Sequence, residues 1–260
     1  MPTRRHVVSS LAWSLAGLAL VPGRAALAAA AAAADGMQTR PVPSSGERLP
    51  VIGMGTADSF NVGDSPAERE PLREVMRRFF AGGAALIDTA PSYDSAEGVI
   101  GDLLAELGLR PRAFIATKIG TSGRAAGLEQ FQRSLRLLRT EKVELLQVHN
   151  LVDWKTQLAL INELKAQGKT RYSGVTHYTA GGHDELARVV REARPDFLQV
   201  NYSVLSRGAE SAVFPLAQEL GVAVLINRAF EDGRLFARVK DKPLPPWAAE
   251  AGIESWAQAF

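Results

Sequence analysis

Residues 143–176 read VELLQVHNLVDWKTQLALINELKAQGKTRYSGVT. The run Val143–His149 is short, apolar and rich in branched side chains, and it ends in polar residues. Residues 155–167 carry apolar side chains at helical spacing, and Gly168 stands where a helix end favours a left-handed residue. A second strand-like run, 171–176, follows at once. Strand, helix and strand in one unbroken unit predict two parallel strands joined by a crossover helix.

The same unit recurs in both directions along the chain. Strand-like runs fall at 50–56, 84–89, 113–118, 143–149, 171–176, 196–202 and 222–227. Helical patterns fall between them at 66–81, 95–107, 128–139, 155–167, 182–193 and 209–220. Leu128, Phe131, Leu135 and Leu138 form one apolar face at helical period. Gly108 and Gly221 repeat the helix-end role of Gly168. The strand ends Asp88, Lys118, His149, His177, Tyr202 and Asn227 follow one another at steps of 25 to 31 residues, one βα unit each. No Gly-x-Gly-x-x-Gly follows any strand, so a dinucleotide-binding open sheet loses its main support. The expected fold is an α/β barrel of the TIM (β/α)₈ type, spanning 49–260. Seven strands are visible, and Ile253–Phe260 reads as helix, so the barrel is expected to be incomplete, with the eighth strand missing. Residues 35–48 contain Ser44-Ser45-Gly46 and predict a linker that folds as a small hairpin ahead of the first strand.

The chain has 260 residues, 46% hydrophobic and 22% charged, which is ordinary globular composition. It has no cysteine, which excludes disulfides, thiolate metal sites and a thiol nucleophile. The net charge of +2 comes from the N-terminal stretch. Residues 1–34 hold Arg4, Arg5 and Arg24 and no acid, so the remainder carries 27 basic and 28 acidic residues. That balance gives no footprint for nucleic acid. The stretch itself has a basic start, an apolar run over 7–21 and an alanine-rich end at 25–34, the pattern of a secretory signal peptide. Arg4-Arg5 ahead of that run fits the twin-arginine type and predicts export to the bacterial periplasm with the twin-arginine machinery as partner. The apolar run is too short for a stable membrane anchor.

In a barrel of this kind the site forms at the C-terminal ends of the strands. Asp88, Lys118 and His149 end three consecutive strands, and Tyr93 lies five residues after Asp88 on the following loop. Adjacent parallel strands are about 4.8 Å apart, so the four side chains can converge. Each alone has a bland reading as a turn cap, solvated strand end or surface aromatic. Together they form a candidate acid–base site: an ammonium beside a phenol lowers its pKa, Asp88 orients the ammonium, and His149 donates to a substrate oxygen.

The segment Asp88-Thr-Ala-Pro-Ser-Tyr93, with Glu97 and Gly101 after it, resembles the aldo-keto reductase signature. Gly53-Met54-Gly55-Thr56, Ala116-Thr117-Lys118, Leu146-Gln147-Val148-His149 and the pair Gln199 and Asn201 resemble other strand ends of that family. The resemblance covers 37–260 and implies a catalytic tetrad of Asp88, Tyr93, Lys118 and His149. It implies NADP(H) as cofactor, held by Gly55, Thr56, Asp88, Thr176, His177, Gln199, Asn227 and Arg228. It implies reduction of a small aldehyde or ketone to the alcohol, or the reverse, with Tyr93 as proton donor and no metal. Three positions depart from the pattern. Asp94 follows the tyrosine in place of glycine, Thr176-His177 stands for Ser-Asn, and Asn227-Arg228 replaces an aromatic that stacks on the nicotinamide. Arg228 is equally well read as a phosphate contact or as a solvated loop residue. The family's eighth strand and the loop behind it grip the adenosine 2′-phosphate, so a chain without them is expected to bind NADP weakly. Competing readings are a barrel isomerase or hydrolase using Asp88 and His149, a zinc site on His149, His177 and His183, and a non-catalytic binding barrel. Trp154 and Tyr178 are expected at the pocket, and Trp247 and Trp256 in packing.

Overall fold

The structure is a computed structural model that describes residues 36–260. The signal segment and the first residue of the linker lie outside the described residues.

A hairpin opens the fold, β1 (Thr39–Pro41) paired antiparallel with β2 (Arg48–Pro50). Seven parallel strands follow in one sheet: β3 (Gly53–Gly55), β4 (Leu86–Asp88), β5 (Phe114–Ile119), β6 (Val143–Val148), β7 (Thr170–His177), β8 (Phe197–Asn201) and β9 (Ala223–Asn227). Each pairs with its sequence neighbour, so the sheet coils in chain order into a nearly closed barrel. The helices between them are α1 (Pro66–Ala81), α2 (Ala96–Glu106), α3 (Arg124–Leu137), α4 (Trp154–Ala166), α5 (His183–Ala193), α6 (Ala209–Ala212) and α7 (Phe214–Leu220). Three short helices follow β9: α8 (Arg234–Val239), α9 (Trp247–Glu250) and α10 (Trp256–Ala259). No helix among the described residues is long and apolar enough to cross a membrane.

All seven strands fall where the sequence reading put them, and one strand and two helices differ in extent. The hairpin reaches Pro50, so the first barrel strand is cut to Gly53–Gly55 instead of 50–56. The helix read at 209–220 breaks into α6 and α7 at Val213, ahead of Pro215, which lacks the N–H a continuous helix needs. The expected helix at 253–260 shrinks to α10, started by a capping box of Ser255 and Gln258. Gly108, Gly168 and Gly221 all take positive φ at helix ends, as read.

Strand alternation sorts the core into two bodies. Leu86, Phe114, Ala116, Leu145, Tyr172 and Phe197 point inward and fill the barrel, with Val42 of the hairpin turn packed beneath them. The Tyr172 hydroxyl bonds to Ser45 at 2.7 Å and to Glu47 at 2.5 Å, which fixes the hairpin as a plug at the N-terminal end. Ile87, Ile115, Leu146, Val148, Val175, Leu198 and Val200 point outward against the helices. On β9 Val224 and Ile226 point outward and are exposed, whereas the outward apolar residues of β4 to β8, Ile87, Ile115, Leu146, Val148, Val175, Leu198 and Val200, are buried. Trp247, expected in packing, is also exposed.

Candidate active site

Above the apolar layer the same inward alternation places a polar one: Asp88, Lys118, Gln147, Thr176, Gln199 and Asn227, each two residues beyond an inward small or apolar residue. Lys118 is 1% exposed and donates to Asp88 Oδ2 at 2.8 Å and to the Thr89 carbonyl at 2.8 Å. Gln199 Nε2 donates to Asp88 Oδ1 at 2.8 Å, and Gln147 Nε2 approaches the same oxygen at 3.4 Å. Thr176 Oγ1 donates to the side-chain oxygen Oε1 of Gln199 at 3.0 Å. Asp88 therefore anchors a chain of donors across four strands. The sequence reading missed Gln147. Its signal was there: an amide at an inward position between Leu146 and Val148, two residues before His149.

Tyr93 reaches this layer from the loop after β4. Its backbone is held in a turn, Tyr93 N to Ala90 O at 3.0 Å and Ala96 N to Tyr93 O at 2.9 Å. Lys118 Nζ lies 5.0 Å from the centre of its ring, and the His149 ring meets it edge-on at 6.0 Å. The four expected residues thus come together. His149 opens a single tight turn, His149–Leu151, in which Asn150 and Leu151 take positive φ. Gly120 presses against it; a Cβ there would stand 3.2 Å from that of His149.

The electrostatics correct one expectation. Burial raises the Tyr93 phenol above its ordinary pKa, and the pull of Lys118, which the sequence suggested would lower it, is outweighed by burial with Asp88 and Asp58. Burial also opposes the Lys118 charge, but Asp88 and Tyr93 overcome it and hold the ammonium above its usual pKa. Burial and then Lys118 push His149 down to about 4, so it is a neutral imidazole at pH 7. The site pairs a fixed ammonium with a phenol that keeps its proton and a histidine that stays uncharged. It can hand a proton to an oxygen that gains negative charge.

The remaining expected residues divide. Thr56 is buried and donates to the Asp88 carbonyl at 3.0 Å; Gly55 is exposed beside it. Thr176 is bound to Gln199, and Gln199 in turn to Asp88. His177 Nδ1 accepts from Thr179 N at 3.3 Å, and its ring stacks on Tyr178. Asn227 Oδ1 is buried without a partner among the described residues, an acceptor fit for the amide hydrogens of a nicotinamide carboxamide. Arg228 is paired with Asp232 and lies over the Tyr178 ring, so a contact to cofactor phosphates requires that pair to open. Arg234 and Glu231 pair beside it, across a cavity of about 190 Å³ that Asn201 and Tyr178 also line. His183 is buried on Asn201 at 2.9 Å, away from His149. Trp154 packs partly on the core, and Tyr178 is exposed at the mouth. Asp94, the departure beside the tyrosine, accepts from Asn61 at 2.9 Å.

A profile of the Aldo/keto reductase family matches residues 51–250. Among curated relatives, methylglyoxal reductase YeaE of Escherichia coli is 30% identical over 73% of the chain and 67% of its own length. Aldo-keto reductase YhdN of Bacillus subtilis is 26% identical over 79% of the chain and 66% of its own length. The chain thus spans about two thirds of these relatives. Among solved structures, an aldo/keto reductase from Klebsiella pneumoniae, in complex with NADP and acetate, is 26% identical with a TM-score of 0.65, covering 80% of this chain and 75% of that one.

Proposed function

The chain belongs to the aldo/keto reductase family, and from that premise we propose that it reduces small aldehydes or ketones with NADPH, using Tyr93 as proton donor. The observation that carries this reading is the convergence of Tyr93, Lys118, Asp88 and His149 in one buried polar layer. The relative that reduces methylglyoxal and the neighbour solved with NADP support the substrate class and the cofactor.

The cofactor supplies the hydride when bound. Asn227 would accept from its carboxamide, and Thr56, Gly55, Thr176, His177 and Gln199 would line the wall around it. The neutral His149 donates an N–H to the carbonyl oxygen and orients it toward Tyr93. As negative charge builds on that oxygen, Tyr93 gives up its proton, and the buried Lys118 ammonium stabilises the phenolate left behind. A phenol raised above its ordinary pKa is protonated at neutral pH, the form that reduction requires of the proton donor. The export reading also stands as a proposal: residues 1–34 direct the folded barrel to the periplasm by the twin-arginine route. Replacing Arg4 and Arg5 by lysines is expected to deplete the periplasmic protein; an unchanged amount removes that route.

The testing variant is Tyr93→Phe, which keeps the ring and removes the proton. Reduction of aldehydes such as methylglyoxal, followed by loss of nicotinamide absorbance, is expected to fall by about 10²-fold or more. Full activity in Tyr93→Phe would show that another group is the acid.

A further inference from the structure

Glu97 is a carboxyl that the chemistry above does not use, yet it is 1% exposed. It lies outside the barrel wall, where α2, β5 and α3 meet. Its Oε1 accepts from Thr117 Oγ1 at 2.7 Å, and its Oε2 from Ser134 Oγ at 3.0 Å. Burial pushes its pKa up, against the opposing effect of those two bonds. An apolar side chain of similar size would fill this place without the desolvation penalty. The carboxyl therefore has to be doing something that packing alone does not.

The elements it joins are the ones that carry the acid and its ammonium. Thr117 immediately precedes Lys118 and faces the other side of β5. Glu97 lies four residues after Tyr93, in the first turn of α2, and the turn between them is closed by the Ala96 N to Tyr93 O bond. Ser95 adds a bond to the Val62 carbonyl at 2.9 Å. One turn further along α2, Gly101 lies so close to α3 that a Cβ would stand 2.1 Å from the Leu137 carbonyl oxygen. Residues 97 and 101 of α2 thus meet residues 134 and 137 of α3, a two-point contact that removes sliding and rotation between the helices. The Glu97–Thr117 bond adds the strand.

We propose that Glu97 is a positioning residue: by tying the helix after Tyr93 to the strand residue before Lys118, it sets the separation of phenol and ammonium across the barrel wall. The proposal rests on the proton-donor reading of Tyr93 for its consequence in turnover, but not for its geometry. Misplacement of a reacting group by about 1 Å costs on the order of 10²-fold in rate. Loss of one of the two tethers is therefore expected to lower kcat by about ten-fold and to leave KM for the carbonyl within about two-fold.

The experiment uses the full chain with Thr117→Val, Glu97→Leu and Glu97→Gln. Each is prepared with ¹³Cζ-labelled tyrosine; the chain has four tyrosines, and Tyr93→Phe assigns the resonance of interest. The shift and titration of the Tyr93 carbon read its ionisation and its distance from Lys118 without any need for turnover. Thr117→Val and Glu97→Leu are expected to move that titration and to lower kcat selectively. Glu97→Gln, whose amide still accepts from Thr117 and can donate to Ser134, is expected to return both toward wild type. Should Glu97→Leu fail to fold, Thr117→Val carries the test, because it changes shape least. Variants that lose thermal stability while the Tyr93 titration stays fixed would overturn the proposal and leave Glu97 as a clip only. A moved titration in a protein that reduces no carbonyl sinks the reductase reading and upholds the tether.

Discussion

Replacing Asp88 by asparagine removes one charge and almost no volume, and it is expected to be among the most damaging changes in the chain. Lys118 is 1% exposed, and its Nζ sits 2.8 Å from Asp88 Oδ2. At an effective dielectric constant of about 20, that separation corresponds to roughly 6 kcal/mol of gross attraction. Asparagine cannot replace it by hydrogen bonding either. If its carbonyl faces Lys118, its amide faces the amide donors of Gln199 and Gln147, which now contact Asp88 Oδ1 at 2.8 and 3.4 Å. If its amide faces Lys118, a donor meets a cation. Breaking a buried pair by removing one partner typically costs about 3–5 kcal/mol, and that is the loss expected for Asp88→Asn near pH 7. Lys118 can escape part of it by releasing its proton, since burial, no longer opposed by Asp88, drives its pKa down. A lysine with a depressed folded pKa binds more protons unfolded than folded, so the stability of Asp88→Asn is expected to rise with pH relative to wild type. Removing the lysine as well, in Asp88→Asn/Lys118→Met, is expected to recover at least about 2 kcal/mol. Urea unfolding followed by tryptophan fluorescence measures all three proteins. An Asp88→Asn variant within about 1 kcal/mol of wild type, or a double variant no better than the single, would refute the buried-pair argument.

Three further outcomes follow from the geometry. Gly101→Ala drives a methyl to 2.1 Å from the Leu137 carbonyl and is expected to cost about 2–3 kcal/mol. Gly98→Ala on the same helix meets nothing nearer than 3.8 Å and is expected to gain about 0.5–1 kcal/mol, so the two melting temperatures should move in opposite directions. His149 is pushed down to about 4 from 6.5, so the unfolded chain binds more protons between those values and stability rises with pH across that window. Acidification through it is expected to remove about 2–3 kcal/mol in wild type, and urea midpoints for His149→Gln should show a correspondingly shallower acid loss.

The barrel was legible because its signal repeats: seven short apolar runs at near-constant spacing admit few arrangements. The positions of Asp88, Lys118 and His149 followed from period-two alternation and from where strands end. Three kinds of information lay beyond that pattern. Boundaries set by long-range contacts were displaced, as where the Tyr172 hydroxyl holds the hairpin turn and the strand pairing extends to Pro50. Burial by distant segments decided the sign of the Tyr93 shift; the neighbouring charges were readable, but the depth of the phenol was not. Engagement of polar groups with one another was hidden as well. Gln199 reads as a cofactor contact, yet the folded chain satisfies both ends of its amide with Asp88 and Thr176, whereas Asn227 retains an unpartnered oxygen.

Isotope transfer reads the central claim at the reacting bond. The full chain is mixed with NADPH carrying deuterium at its transferable position and with a small aldehyde, and the product alcohol is examined by mass spectrometry and NMR. The account predicts one deuterium on the former carbonyl carbon, at a rate that Tyr93→Phe lowers by about 10²-fold or more while the protein remains folded. An alcohol without deuterium, or transfer that proceeds undiminished in Tyr93→Phe, would contradict it.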